Sequence, residues 1–363
     1  MSFRGQDRRG DAEKAENAEK AQRRTDFGFQ ESPFRDQYMR VLLSSTHRYP
    51  AFGEIGIGPH PKAFPSGSSF YIHDLLAQGL AELGHEVFYL LRNGAEAPAP
   101  AGVTLVSEPV SDADILHTIT FRDEDLIAAR QSQRQPWVAT CHLDLKARGM
   151  ERRPVTGNWI FVSRMLAQAH DRDRYVLNGI DPARYIYSET KDDYFLFMST
   201  MDWGAEKGLD EVLSLSAEMG FKLVIAGTGK DYESIRRVAE MCQQAGAEYV
   251  GDVKGQRKAE LLAGAKAFLF PTKVVEAFGL GMVEALMSGT PVICSDRGAC
   301  PEIISADVGF VCRDRGELMA AVNRVSEIPP RVCRDKAMRD FHYLRMAADY
   351  VAEYEKEIAR NGH

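Results

Sequence analysis

Two glutamates, Glu276 and Glu284, enclose seven residues within the stretch Phe270–Glu302 (FPTKVVEAFGLGMVEALMSGTPVICSDRGACPE). Gly279 stands between them and can open a helix, whose first turns expose N–H groups that suit an oxygen-rich ligand. Glu284 then lies inside this helix beside the apolar Leu280, where a carboxylate needs a partner. A pair of ligand hydroxyls fits this need, because an ionised carboxylate accepts two hydrogen bonds at once. Ordinary salt bridges or helix caps are the alternative interpretation for both glutamates.

Lys207 is a further candidate for chemistry. It lies in Glu206–Asp210 (EKGLD), at the start of a predicted helix that follows the strand 195–198. A fixed ammonium at this place stabilises an anionic leaving group, such as a diphosphate, as a bond to it breaks. A lysine that only faces solvent is the alternative. Gly67, in Pro65–Ser69 (PSGSS), can adopt a positive φ and bring its N–H close to a ligand, or it belongs to a plain surface loop.

The elements that must position these residues follow an α/β pattern. Short apolar runs alternate with stretches of helical periodicity, as in a parallel sheet wrapped by helices. The predicted strands of a first series are 41–45, 87–91, 115–116, 137–139 and 159–162. The pattern restarts after Asn178–Pro182 with predicted strands at 195–198, 223–226, 267–270 and 291–293. The sequence therefore predicts two doubly wound domains, which bind ligands beyond the carboxyl ends of their strands where the strand order reverses.

Charge pattern and apolar periodicity divide the chain into four predicted segments. Residues 1–37 contain the charged, alanine-rich run DAEKAENAEKAQRR, which has no apolar stripe to bury and is predicted to be a disordered or charged leader. Residues 38–182 form the predicted N-terminal Rossmann-like domain, and residues 183–340 form the C-terminal one. Residues 341–363 carry an amphipathic final helix.

The amino-acid composition and the net charge limit the classes of protein to which this chain can belong. The chain has 363 residues, 44% of them hydrophobic and 27% charged, which is typical of a globular protein. A formal net charge of −7 argues against nucleic acid as the partner. No run approaches the roughly 18–20 apolar residues of a membrane span, and no apolar leader is present. We therefore expect a cytoplasmic protein, with contact to a membrane surface left open. Six scattered cysteines without a C-x-x-C pair are expected to be reduced thiols that bind no zinc.

The stretch around the two glutamates resembles the donor-site signature of glycosyltransferase family 4. In that family an E-x7-E motif, here Glu276 to Glu284, is followed by G-T-P-V-I, here Gly289–Ile293, and by a P-E pair, here Pro301 and Glu302. The resemblance extends from about residue 40 to residue 358. It implies the GT-B fold, in which two Rossmann-like domains face a central cleft and the C-terminal helix crosses back to the N-terminal domain.

The resemblance also implies an activity of the hexosyltransferase type. A sugar would pass, with retention at the anomeric carbon, from a nucleoside diphosphate sugar, UDP- or GDP-linked, to the hydroxyl of a sugar, a lipid-linked sugar or a small molecule. No cofactor is implied. No convincing D-x-D motif is present, so metal independence is expected, with Lys207 and helix N-termini acting where other transferases use magnesium.

Roles for single residues follow from the same resemblance. Glu284 would take the ribose hydroxyls and Glu276 a sugar hydroxyl, with Lys207 on the diphosphate. His142, in the segment Thr140–Asp144 (TCHLD), would face the reacting sugar, while a structural histidine is the alternative. The remaining binding positions are backbone groups, namely those of Phe278, Gly279 and Leu280, together with Gly67 from the N-terminal loop.

The sequence departs from the family pattern at two places. Thr200 stands where an arginine usually meets the diphosphate, and a hydroxyl cannot replace a guanidinium fork. Arg297 is one possible substitute. The N-terminal loop has the single Gly67 where a pair of glycines is usual. Two other functions therefore stay open: a nucleotide-sugar-binding protein with little or no turnover, and another GT-B enzyme such as a sugar-nucleotide epimerase or a phosphorylase.

Overall fold

The computed structural model describes residues 38–51, 69–119, 123–146, 156–201, 205–229 and 231–361. The predicted leader at 1–37 and the predicted ligand-binding residue Gly67 lie outside these ranges. Within them the strands form two sheets of six strands each.

The first sheet has the Rossmann strand order β3-β2-β1-β4-β5-β6. Its strands are β1 (Arg40–Ser45), β2 (Glu86–Leu91), β3 (Val103–Val106), β4 (Ile115–Ile119), β5 (Trp137–Cys141) and β6 (Trp159–Phe161). β1 pairs in parallel with β2 on one side and with β4 on the other, which places the reversal of strand order between β1 and β4. The fold class predicted from the alternating pattern is thereby confirmed for the first series.

The second sheet repeats this order, as β12-β11-β10-β7-β8-β9. Its strands are β7 (Phe195–Met198), β8 (Leu223–Ala226), β9 (Glu248–Gly251), β10 (Ala267–Phe270), β11 (Val292–Ser295) and β12 (Gly309–Cys312). β7 pairs in parallel with both β8 and β10, so the order reverses between β7 and β10. The loops that follow these two strands carry Lys207 and Glu276.

Three strands, β3, β9 and β12, were not predicted from the sequence. Each is four residues long and lies at the edge of its sheet. β9 has no buried residue, β3 has one and β12 has two, whereas all four residues of the central strand β10 are buried. Without a buried apolar run, such strands lack the signal that identifies the central ones.

Helices follow most strands and cover the sheets. They are α1 (Ser69–Glu82), α2 (Glu124–Ser132), α3 (Arg164–Ala169), α4 (Leu209–Met219), α5 (Tyr232–Ala245), α6 (Gly255–Gly264), α7 (Leu280–Met287), α8 (Cys300–Ile303), α9 (Arg315–Arg324), α10 (Pro330–Asp340) and α11 (Tyr343–Asn361). Among these helices, none combines the length and the apolar character needed to cross a membrane.

The chain divides into two compact units. The described residues of the first unit are 38–51, 69–119, 123–139 and 343–361, and those of the second unit are 140–146, 156–201, 205–229 and 231–342. The final helix α11 thus belongs to the first unit, where it packs against α1. Gly79 permits this close approach, because a Cβ there would come 2.8 Å from the Cβ of Ala347. The domain bounds set from sequence at 182 and 340 stay predictions.

Candidate functional site

Lys207 and Glu276 meet at the carboxyl edge of the second sheet. Lys207 follows β7 and Glu276 follows β10, the two strands between which the strand order reverses. The Nζ of Lys207 forms an ion pair with Oε2 of Glu276, and the two side chains are 26% and 15% exposed. The same Nζ lies 5.7 Å from the centroid of the Phe270 ring. A partly shielded pair of opposite charges therefore stands where ligands bind in doubly wound folds.

Two glycines allow the loops around this pair to approach each other. Gly208 has φ +91°, and a Cβ there would lie 2.3 Å from the carbonyl oxygen of Pro271. Gly298 has φ +60°, and its Cβ would lie 2.2 Å from the carbonyl oxygen of Glu276. That oxygen also accepts a hydrogen bond from the Ala299 N–H at 2.8 Å. Only glycine fits either position, because a side chain would collide with backbone.

Glu284 lies inside α7, the helix that begins directly after Gly279. Gly279 has φ +89° and is the N-cap residue, so the predicted helix start is confirmed. The Glu284 side chain is 14% exposed. Its Oε1 accepts hydrogen bonds from Lys258 Nζ at 2.7 Å and from Tyr185 Oη at 2.9 Å. The partner that a carboxylate beside an apolar face requires is thus supplied by the protein itself.

The alternative interpretation of Glu276 and Glu284 was that they make ordinary salt bridges, and both of them do form one. It does not account for all of their oxygens. Among the described residues, Oε1 of Glu276 and Oε2 of Glu284 have no hydrogen-bond partner. Each partly buried carboxylate therefore keeps one oxygen with which to accept hydrogen bonds from a ligand.

Sequence reasoning missed Lys258 and Tyr185. They lie 26 and 99 residues from Glu284 in the chain, outside the E-x7-E stretch. The sequence indicated only that Glu284, a carboxylate beside an apolar helix face, requires a partner. It did not indicate which residue provides it.

Glu302, the glutamate of the P-E pair, has a positioning role within the second unit. Its two carboxylate oxygens accept hydrogen bonds from the backbone N–H groups of Arg164 and Met165, each at 3.0 Å, at the start of α3. Ser163, the N-cap residue of α3, donates its hydroxyl to the carbonyl oxygen of Ala277 at 2.7 Å. These contacts fix the loop that carries Glu276.

The other predicted site residues lie as follows. Phe278 is buried, and Leu280 is the first residue of α7. Thr200 is exposed just after β7, and the exposed Arg297 lies beside Asp296, with 3.7 Å between its Nε and Oδ1. His142 follows β5, and in the described part of the chain its ring makes no hydrogen bond to Lys207 or Glu276. Its assigned role stays a prediction.

A second polar cluster lies at the carboxyl end of β1 in the first unit. Ser45 Oγ and His47 Nδ1 are 2.6 Å apart, and His47 Nε2 lies 2.9 Å from Asp74 Oδ1. Asp74 also accepts hydrogen bonds from Tyr89 Oη and from the Ala51 N–H, each at 2.7 Å. Three donors thus stabilise this buried carboxylate and hold the segment that follows β1.

Two histidines of the second unit are held neutral by burial. Removal from water lowers the pKa of His142 and that of His342 to about 4, since it disfavours the charged imidazole. In the unfolded chain these groups take up protons below about pH 6.5. Their contribution to folding stability is therefore complete above that pH and declines as the pH falls towards 4.

For His342 this linkage amounts to about 2 kcal/mol lost between pH 6.5 and pH 5. We expect the melting temperature to fall less over this interval in His342→Asn than in the wild type, because asparagine does not titrate. Thermal unfolding of both proteins at pH 7, 6 and 5 measures the difference. Equal losses in the two proteins would contradict the assignment of acid sensitivity to His342.

The fold belongs to the GT-B class. It has two sheets of Rossmann strand order, and the candidate site lies where the strand order of the second sheet reverses. Within the chain, residues 186–339 match the family described as glycosyl transferases group 1. This range contains Lys207, Glu276 and Glu284 and the whole of the second sheet.

Among characterised proteins, the chain is similar to an MMP alpha-(1->4)-mannosyltransferase of Mycolicibacterium hassiacum. The two are 38% identical over 113 residues, which cover 28% of this chain and 27% of the relative. It is also similar to the D-rhamnosyltransferase WbpZ of Pseudomonas aeruginosa, with 25% identity over 257 residues, 66% of this chain and 67% of that protein. The chain thus spans about a quarter of the first relative and about two thirds of the second.

Solved structures share the fold over most of the chain. A glycosyltransferase involved in avilamycin A biosynthesis matches with a TM-score of 0.64 and 23% identity, over 88% of this chain and 98% of its own. HepE of Anabaena, in complex with UDP and glucose, matches with a TM-score of 0.62 and 14% identity, over 88% and 100%. Together these matches show that the chain is similar to glycosyltransferases and that it shares the GT-B fold.

Proposed function

We propose that this protein is a retaining glycosyltransferase that moves a sugar from a nucleoside diphosphate sugar to an acceptor hydroxyl without a metal ion. The observation that carries the proposal is the ion pair of Lys207 and Glu276 at the reversal of strand order in the second sheet, with Glu284 on the adjoining helix. An ammonium and two carboxylates so placed match the three polar parts of such a donor, namely the diphosphate, the sugar hydroxyls and the ribose.

Each residue acts on one part of the donor. Lys207 stabilises the leaving diphosphate, which becomes more negative as the glycosidic bond breaks. Glu276 orients the sugar by accepting a hydrogen bond from one of its hydroxyls, and Glu284 accepts from the ribose. The acceptor hydroxyl attacks from the face that the diphosphate leaves, and a phosphate oxygen takes its proton. This route gives retention without a protein nucleophile.

The relatives support this class of donor. Two are named for the transfer of a mannosyl or a rhamnosyl group, and one structure of the same fold was solved with UDP and glucose. We propose that the donor carries UDP or GDP and that the transferred group is a hexose or a deoxyhexose.

A screen of UDP-, GDP- and ADP-sugars by thermal shift tests the proposal. A ligand at 100 times its dissociation constant adds about 2.7 kcal/mol to the free energy of unfolding, which raises the melting temperature measurably. Donors that stabilise the protein are then incubated with it, and release of the nucleoside diphosphate is measured. If no nucleotide sugar stabilises the protein, the proposed function is wrong.

We expect activity to persist in EDTA, because the ammonium of Lys207 provides the positive charge that a bound metal ion supplies elsewhere. Release of nucleoside diphosphate is measured in excess chelator and again after addition of magnesium or manganese. Equal rates in the three conditions are the expected result. Full loss in chelator that is restored by either metal would contradict a metal-independent mechanism.

A second candidate function is a nucleotide-sugar-binding protein with little or no turnover. Thr200 favours it, since this exposed hydroxyl stands where the family pattern that the sequence resembles has an arginine for the diphosphate. The same screen distinguishes the two functions. Stabilisation by a donor without release of nucleoside diphosphate supports the binding protein, whereas slow release supports the enzyme.

A further inference from the structure

We infer that Lys258 and Tyr185 are positioning residues that fix the Glu284 carboxylate, so that its Oε2 receives the ribose of the nucleotide. This inference rests on the proposed function, in which Glu284 binds that ribose. The juxtaposition of Lys258, Tyr185 and Glu284 within the second unit carries it.

The two donors meet the same oxygen. Lys258 Nζ lies 2.7 Å and Tyr185 Oη 2.9 Å from Oε1 of Glu284. A carboxylate oxygen has about two lone-pair positions, and both positions of Oε1 are occupied by these donors. Among the described residues Oε2 accepts no hydrogen bond, so this atom is the one left for a ligand.

The three side chains come from three separate parts of the second unit. Lys258 lies in α6, Glu284 in α7, and Tyr185 directly follows the short 3-10 turn Pro182–Arg184. A glutamate side chain has three rotatable bonds, and ordering them costs free energy when a ligand binds. Two donors that hold the carboxylate beforehand remove part of that cost from the binding step.

The charge of Lys258 adds to this effect. Glu284 is 14% and Lys258 31% exposed, so the pair is only partly screened by water. Without the ammonium, the carboxylate would lose its strongest hydrogen bond and could rotate away from the ligand. Lys258 therefore acts through Glu284 on the ribose end of the donor, whereas Lys207 acts on the diphosphate.

The test compares two ligands by calorimetric titration. One is the nucleoside diphosphate that the wild type binds, UDP or GDP, and the other is its 2′,3′-dideoxy analogue, which lacks the hydroxyls. We expect Lys258→Met to weaken binding of the ribonucleotide by about 10-fold and to leave binding of the analogue unchanged. Lys258→Arg should restore much of the difference, because a guanidinium also donates to the carboxylate.

Matched variants separate this effect from general damage. Lys266→Met removes a lysine of similar exposure, 34%, which is paired with Asp193, and it should leave both affinities unchanged. Tyr185→Phe should weaken binding of the ribonucleotide by about 3-fold. Tyr187→Phe, which removes a hydroxyl bonded to Glu189, should have no effect. In a Glu284→Ala background, Lys258→Met should change neither affinity further.

Three outcomes would overturn the inference. An unchanged ribonucleotide affinity in Lys258→Met would show that the lysine does not position Glu284. Equal losses for ribonucleotide and analogue would assign Lys258 to another part of the ligand or to folding. A further loss from Lys258→Met in the Glu284→Ala background would show that it acts independently of Glu284. Failure of the wild type to bind any nucleoside diphosphate would instead overturn the proposed function, and this inference with it.

Discussion

Replacing Lys207 with alanine is expected to lower kcat by about 100-fold or more, comparable with the loss of one preorganised oxyanion donor. The leaving diphosphate is more negative in the transition state than in the bound donor, so the ammonium stabilises the transition state more. The effect on donor affinity should be smaller. Because Thr200 stands where the family pattern has an arginine, we expect Lys207 to provide a larger share of the positive charge on the diphosphate. Steady-state kinetics with a donor from the thermal-shift screen measure kcat and KM separately.

The ion pair with Glu276 requires a control for Lys207→Ala, because this variant leaves a carboxylate without its cation beside the diphosphate. The double variant Lys207→Ala, Glu276→Gln removes that repulsion, and the activity it recovers measures the repulsive part of the loss. Lys222→Ala is the matched control, as it removes a lysine paired with Glu248 next to the amino end of β8. If Lys207→Ala turns over like the wild type, the assignment of the phosphate site is wrong.

Glu284→Ala is expected to weaken nucleotide binding by about 10- to 100-fold, with or without the sugar attached. A hydrogen bond to a charged group contributes about 1.5–3 kcal/mol, and each 1.4 kcal/mol is a factor of ten in affinity. Direct titration with UDP or GDP measures the loss. The value of kcat should change less, because the ribose hydroxyls stay neutral and in place as the glycosidic bond breaks.

Two further variants make the result for Glu284 specific. Glu284→Gln keeps an amide oxygen that can accept from the ligand, so it should lose less affinity than alanine. Glu211→Ala removes a partly buried glutamate of α4 that is paired with Arg315, and it should bind nucleotide normally. Unchanged affinity in Glu284→Ala would remove this residue from the site.

Much of the fold was accessible from the sequence because its signals are local. Central strands such as β1 and β10 are short apolar runs buried within a sheet, and their composition alone identifies them. Gly279 likewise marks the start of α7, since it takes the left-handed conformation that precedes the helix. The spacing of Glu276 and Glu284 is a property of one loop and one helix. The sequence therefore predicted the two series of strands and the candidate residues.

The partners of those residues were decided by tertiary structure alone. Lys207 and Glu276 are 69 residues apart, and they meet because the strand order places β7 beside β10. Glu284 receives Lys258 and Tyr185 from two other parts of the second unit, which no local spacing encodes. Such contacts form when helices and sheets pack together. This packing brings together residues that are far apart in the sequence, so no local pattern predicts them. The types of residue in the site are thus set by sequence, and which oxygen of each carboxylate stays available is set by the fold.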